Sequence, residues 1–232
     1  MAQPTIRLVC FDLGGVLVRI CRSLQEACDL TGLPYHAEAD TPELRQARHE
    51  VALLHTVGGL EVGTYHARLA ELTAGKYSTE ELETIDAAWI IDPYPGMEAI
   101  ARELNALDRL TTGCLSNTTR EHWFEMAHVD EANELRPGTP RFPAVPLLEH
   151  RAASHLMGLA KPGVEIFHAY AREVDIPGPE ILFFDDLAEN VAGARAAGWN
   201  VEQIDFRGDT AAQVRGHLAR YGIELNHQEA TA

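Results

Sequence analysis

The stretch Ile6-Arg7-Leu8-Val9-Cys10-Phe11-Asp12-Leu13-Gly14-Gly15-Val16-Leu17 begins as a short apolar run and stops at a carboxylate and a pair of glycines. A run of that length bounded by turn residues reads as a buried strand ending in a glycine turn. Three later segments have the same shape: 110–115 stops at Ser116-Asn117, 181–184 at Asp185-Asp186, and 201–204 at Asp205. Helical spacing fills the intervals. Met97, Ile100, Leu104 and Leu107 form one apolar face, and Val164, Phe167, Tyr170 and Val174 another. Val191, Ala194 and Ala197 make a small-residue face that Gly198 closes as a C-cap. Pro162 suits the first turn of the helix carrying Val164, where its missing N–H costs nothing. Strands alternating with helices predict an α/β fold with a parallel sheet covered on both faces.

Residues 19–93 break the alternation. They contain four helix-like segments (23–31, 43–55, 64–74 and 79–90) and no convincing strand, and Asp92-Pro93-Tyr94-Pro95-Gly96 reads as a stiff return linker. The expected organisation is a catalytic core of 1–18 and 94–232 with an all-helical cap of 19–93 inserted after the first strand. Residues 130–146, rich in Pro and Gly, read as a surface loop.

Composition narrows the function. In 232 residues, 19 Lys and Arg face 35 Asp and Glu, for a net charge of −16. That charge repels phosphate backbones and anionic lipid, so nucleic acid and membrane surfaces are poor partners. A small phosphorylated substrate is still open, because one metal ion reverses the local field. No apolar run approaches the roughly 20 residues of a membrane span, and the N-terminus lacks the pattern of a secretory signal, so a cytoplasmic location is expected. Cys10, Cys21, Cys28 and Cys114 read as buried small apolar residues, with Cys21 and Cys28 on one helical face. None of the 11 histidines has a partner three or four residues away, which argues against a zinc-binding helix. His55 and His66 in the insert are candidates to line a substrate cleft but read first as solvated or packed, and His122, Trp123 and His128 read as packed; Arg45, Arg48, Tyr65 and Arg68 in the insert are open to substrate contact, with nothing to choose among them.

Ligands of an open parallel sheet bind beyond the carboxyl ends of its strands, which singles out Asp12, Ser116-Asn117 and Asp185-Asp186, with Lys161 ahead of a helix. Singly, each reads as turn, cap or solvated chemistry. Together a carboxylate, a hydroxyl, an ammonium and a carboxylate pair make a phosphoryl-transfer set. Crowded carboxylates need a cation, and Mg²⁺ with oxygen ligands answers that need. An Asp can then attack and form an aspartyl-phosphate, while Ser116 and Lys161 hold the phosphoryl oxygens.

In this order the residues resemble the haloacid dehalogenase (HAD) superfamily. Phe11-Asp12-Leu13-Gly14-Gly15-Val16-Leu17 is similar to its first motif and Leu115-Ser116-Asn117-Thr118 to its second. Lys161-Pro162 opening a helix resembles the third, and Phe183-Phe184-Asp185-Asp186 with Glu189-Asn190-Val191 and 194–198 the fourth. The likeness spans about residues 6–201, and the insert takes the position of the family's cap. The Ser-Asn-Thr and Phe-Phe-Asp-Asp segments point to the branch of glucose-1-phosphate phosphatases and of the phosphatase domain of soluble epoxide hydrolases. The resemblance implies a Rossmann-like core, with Asp12 as nucleophile and Mg²⁺ ligand. It also implies Ser116 and Asn117 on the phosphoryl group, Lys161 neutralising it, and Asp186 as the main further metal ligand. Asp185 would stand behind Asp186 or share the metal, and Gly14 would give Mg²⁺ its backbone carbonyl.

One position departs from the family pattern. Gly14 stands where most family phosphatases carry a second Asp, the general acid for the leaving group, a role worth about 10²–10⁴-fold. The glucose-1-phosphate branch resembles this chain in having glycine there. A dehalogenase would use Asp12 without metal, but would leave the Asp185-Asp186 pair without purpose. A phosphomutase needs the missing Asp. A catalytically silent scaffold binding a phospho-ligand or a protein is the alternative outside catalysis. A receiver domain is excluded by the order of its acidic residues and by length. The expected activity is Mg²⁺-dependent hydrolysis of a small, sugar-phosphate-like phosphomonoester, with the cap closing over the site.

Overall fold

The structure is a computed structural model that describes residues 5–225. The first four residues, on which the reading of the N-terminus partly rests, and 226–232, the end of the expected core, lie outside the described residues. In chain order, β1 (Leu8–Phe11) and β2 (Val18–Ile20) lead into α1 (Leu24–Thr31), α2 (Pro42–Thr56), α3 (Val62–Leu72) and α4 (Thr79–Ala87). The chain returns through β3 (Ile90–Pro93) to α5 (Met97–Asn105), β4 (Thr111–Ser116), α6 (Arg120–Met126), β5 (His150–Ala153) and α7 (Ser154–Met157). It ends in α8 (Val164–Glu173), β6 (Ile181–Asp185), α9 (Ala188–Ala196), β7 (Asn200–Gln203) and α10 (Thr210–Arg220).

Five strands form a parallel sheet in the order β5-β4-β1-β6-β7, with Leu8 paired to Thr111 on one side and Ile181 on the other. The four residues of β1 have no exposed surface, as a continuous apolar run demands of a strand with helices on both faces. Period-2 geometry sends Val9 and Phe11 to one face, against Ile100, Leu104 and Val214, and Leu8 and Cys10 to the other, against Phe167 and Tyr170. The helix around Met97 buries Met97, Ile100, Ala101 and Leu104 as its spacing requires. No helix among the described residues is long and apolar enough to cross a membrane.

The insert is helical, with its own cluster built on Leu24, Ala27, Tyr65, Leu69, Leu82 and Ile85. Ser23 caps α1, and Ser78 with Glu81 forms a capping box on α4. It is not free of strands, however. β2 and β3 pair antiparallel at its neck, so residues 90–93 are neither the end of a helix nor plain linker. At three and four residues these strands are too short to show a period.

Three smaller expectations are corrected. Lys161-Pro162, joined by a cis peptide bond, lies in a turn, and α8 starts only at Val164 with Gly163 as its N-cap; Lys161 therefore does not open the helix, nor does Pro162 sit in its first turn. All four cysteines are buried and free, but Cys21 precedes α1, so it shares no helical face with Cys28. Residues 130–146 are mostly irregular, yet Phe142 and Val145 plug the core with 1% and 0% exposure.

Candidate active site

The chain order reverses around β1, so a crevice opens at its carboxyl end between β4 and β6. Asp12 follows β1, Ser116 ends β4, Asp185 ends β6, and Asp186 comes next. One oxygen from each of Asp12, Asp185 and Asp186 lies within 4.8 Å of the others, and all three residues are buried. Carboxylates so close repel unless cations intervene. Lys161 supplies one. Its Nζ has no exposed surface and sits 2.9 Å from Asp12 Oδ2 and 2.7 Å from Asp185 Oδ2. Burial disfavours the ammonium, but Asp12 and Asp185 outweigh it and hold Lys161 above the usual lysine range. Burial pushes the Asp12 carboxyl up, with Lys161 pulling it down and Asp185 adding to the rise.

The Lys161 loop is positioned by two neighbours. Asn117 donates from Nδ2 to the Lys161 carbonyl (2.8 Å) and accepts at Oδ1 from the Lys161 N–H (2.9 Å). Both ends of its side chain thereby hold the Lys161 backbone, which leaves one Nδ2 hydrogen and the backbone N–H of Asn117 for any contact with a phosphoryl group. Gly193 in α9 lets the loop come close: a Cβ there would lie 2.2 Å from the Pro162 carbonyl oxygen.

Asp185 is similarly committed. Its Oδ1 accepts from the Leu187 N–H (2.9 Å) and from Asn190 Nδ2 (3.1 Å), and its Oδ2 accepts from Asn190 Nδ2 (3.0 Å) and Lys161. Asp12 Oδ1 accepts from the Leu13 N–H at 2.7 Å. Asp186 differs. Arg22 Nη1 lies 2.8 Å from its Oδ2 and the guanidinium stacks on Phe206, but that buried oxygen has no hydrogen-bond partner among the described residues. Burial raises the Asp186 carboxyl and Arg22 opposes the rise. Gly15 makes room: at φ +81° its position would set a Cβ 2.4 Å from Asp186 Cγ. This donor set fits Mg²⁺. It offers oxygens alone, and the buried Asp186 Oδ2 faces the Arg22 charge without a well-formed hydrogen bond, so a cation would share or displace that partner.

Between this edge and the insert lies a cavity of about 740 Å³, bordered by Gly14, Arg22, Ser116 and Asn117 below and by Tyr65 and Trp89 above. Of the insert residues open to substrate contact, Tyr65, Arg45 and Arg48 line it and Arg68 does not. His122 also borders it, held by a 2.8 Å contact of Nε2 with the Asp86 carbonyl, whereas Trp123 is buried in the core. Sequence reading missed Arg22, which looks like any solvated arginine after a strand, and gave Asn190 no role.

A family model of haloacid dehalogenase-like hydrolases matches residues 6–198. Among curated proteins, Phosphatase MT3486 of Mycobacterium tuberculosis is 35% identical over 74 residues, 32% of this chain and 34% of that protein, so the chain spans about a third of this relative. Among solved structures, the HAD family enzyme BT-2542 of Bacteroides thetaiotaomicron, in complex with magnesium and inorganic phosphate, superposes with a TM-score of 0.65 at 23% identity, covering 90% of this chain and 100% of its own. A HAD-like family hydrolase of Porphyromonas gingivalis gives 0.68 at 19% identity over 93% and 98%. At these identities the likeness to the solved structures is one of fold.

Proposed function

The chain belongs to the haloacid dehalogenase-like hydrolases, and we propose that within them it is a Mg²⁺-dependent phosphatase of small phosphomonoesters, acting in the cytoplasm. The observation that carries this reading is the buried Lys161 bridging Asp12 and Asp185, with Asp186 beside them, behind the Gly14, Ser116 and Asn117 that border the cavity. Residues 19–93 are taken as the cap and 1–18 with 94–232 as the core.

Asp12 attacks phosphorus in line through a carboxylate oxygen, the ester oxygen leaves toward the cap, and water then opens the aspartyl-phosphate. Ser116 and the backbone of Asn117 hold phosphoryl oxygens, and Lys161 offsets the charge that spreads over them. Asp12, Asp186 and the Gly14 carbonyl would hold Mg²⁺, with Asp185 anchoring Lys161 beside them. When bound, Mg²⁺ would neutralise the carboxylates and draw charge from the phosphoryl group. The cavity is far larger than a phosphate and partly walled by Leu69, Leu82 and Trp89, which favours an ester whose body has an apolar face over a bare sugar.

Phosphate release from sugar, acyl and aryl phosphates, with and without Mg²⁺, tests the reading. Metal-dependent release that falls to background in Asp12→Asn, with the fold intact, is expected. Metal-independent halide release from 2-haloacids, without phosphate release, would overturn it.

A further inference from the structure

The insert side of the cavity carries a charged cluster that phosphoryl transfer does not use. Asp40, 7% exposed, is its centre. Tyr35 Oη donates to its Oδ2 at 3.0 Å and Arg48 Nη2 donates to its Oδ1. Arg45 Nε donates to its backbone carbonyl at 2.9 Å and lies 3.3 Å from Oδ1. Arg48 Nη1 donates to the Ala39 carbonyl. Arg45 and Arg48 are one turn apart on α2, and both border the cavity with Asp40 and His49.

Arg48, 16% exposed, uses both its Nη groups in fastening the loop before α2. The Arg45 side chain is 61% exposed, and its two Nη groups have no hydrogen-bond partner among the described residues. Arg48 takes the Asp40 carboxylate at close range, and the other carboxylate of the cavity wall, Asp86, makes no ion pair with Arg45, so among the described residues the outer face of the Arg45 guanidinium is left without a counter-ion in direct contact, in a chain of net charge −16. A guanidinium held by its Nε keeps its outer N–H pair set for a carboxylate or phosphate, with little side-chain freedom left to lose.

We propose that Arg45, positioned by Asp40 and assisted by Arg48, binds a second anionic group of the substrate. The preferred substrates are then phosphomonoesters whose end remote from the transferred phosphoryl carries a carboxylate or a further phosphate, with an apolar segment between. This rests on the phosphatase reading and names its substrate class.

The test compares matched aryl phosphates, with a neutral tail, a carboxylate tail and a second phosphate, in wild type, Arg45→Gln and Arg48→Gln. Wild type should favour an anionic tail by about 10- to 100-fold in kcat/KM. Arg45→Gln should bring that ratio toward 1 through KM, with kcat for the anionic substrate little changed. The carboxylate and bisphosphate arms show which anion is read. Equal kcat/KM across the wild-type series, or a loss in Arg45→Gln shared equally by neutral and anionic members, overturns the proposal. Arg48→Gln also loosens the Asp40 loop, so its melting temperature is measured alongside and Arg45→Gln decides. No phosphate release by wild type from any member overturns the phosphatase reading and this proposal with it; release without preference overturns this proposal alone.

Discussion

Gly14 and Ile20 meet at the floor of the cavity: a Cβ at position 14 would lie 2.9 Å from Ile20 Cδ1. The tip of the Ile20 side chain thus occupies the space in which a proton-donating side chain would stand, and it has to turn aside to admit one. Gly14→Asp alone is therefore expected to gain little, while Gly14→Asp with Ile20→Ala should raise kcat on alkyl phosphates, with poor leaving groups, about tenfold or more over the single variant. Equal gains in both variants would show that Ile20 is no obstacle. Arg22 makes a second prediction at this scale. Its guanidinium contends with any cation for Asp186 Oδ2, so Arg22→Gln should tighten Mg²⁺ binding about tenfold by calorimetry. Unchanged or weaker binding would instead make Arg22 a support of the site.

Between elements, α2 and α4 of the insert meet α6 of the core through histidines. His55 Nε2 in α2 lies 3.3 Å from Glu121 Oε2 in α6, and His122 in α6 contacts the Asp86 carbonyl in α4. Burial lowers the His55 imidazole, but Glu121 and the Leu60 carbonyl outweigh it and leave it raised. His55 in turn holds the Glu121 carboxyl down at about 2, against its burial. A raised histidine contributes stability that is complete below its ordinary 6.5 and lost as pH rises through its folded value. A lowered glutamate contributes stability that is complete above its ordinary 4.5 and lost as pH falls through about 2. The latch is therefore strongest between those ordinary values and weakens toward alkaline pH. Glu121 is 40% exposed, so screening limits the pair to about 1 kcal/mol or less. The melting-temperature gap between wild type and Glu121→Gln should be larger at pH 6 than at pH 8.5, and an equal gap at both would mean that His55 stays neutral.

For the molecule as a whole, a net charge of −16 with three clustered buried carboxylates leads to the expectation that a divalent cation bound there stabilises the fold. A ligand at a hundredfold excess over its Kd adds about 2.7 kcal/mol. For a chain of this size that is a rise of roughly 5–10 °C in melting temperature. Mg²⁺ should produce a shift of this order, EDTA should reverse it, and Asp186→Asn should lose most of it. A shift that persists in Asp186→Asn would place the cation elsewhere.

Much of this was legible in the sequence, for a local reason. β1 and β6 are buried on both faces, so their apolar runs are nearly unbroken, β4 is buried with Thr111-Thr112-Gly113 ahead of Cys114-Leu115, and Asp12, Ser116 and Asp185 mark where the strands end. Strand ends share one edge of a parallel sheet, so a one-dimensional pattern placed the candidate residues together. Tertiary structure alone decided the rest. His150-Arg151-Ala152-Ala153 has no strand-like residue and becomes β5 only by pairing with the edge of β4; β2 and β3 exist only as each other's partners across the whole insert. The same holds for Asn117 turning to the Lys161 backbone, Arg22 settling on Asp186, and Arg45 and Arg48 reaching the cavity that Arg68 misses. Periodicity reports how one element buries its own face; which side chains meet across elements is set by how the elements pack.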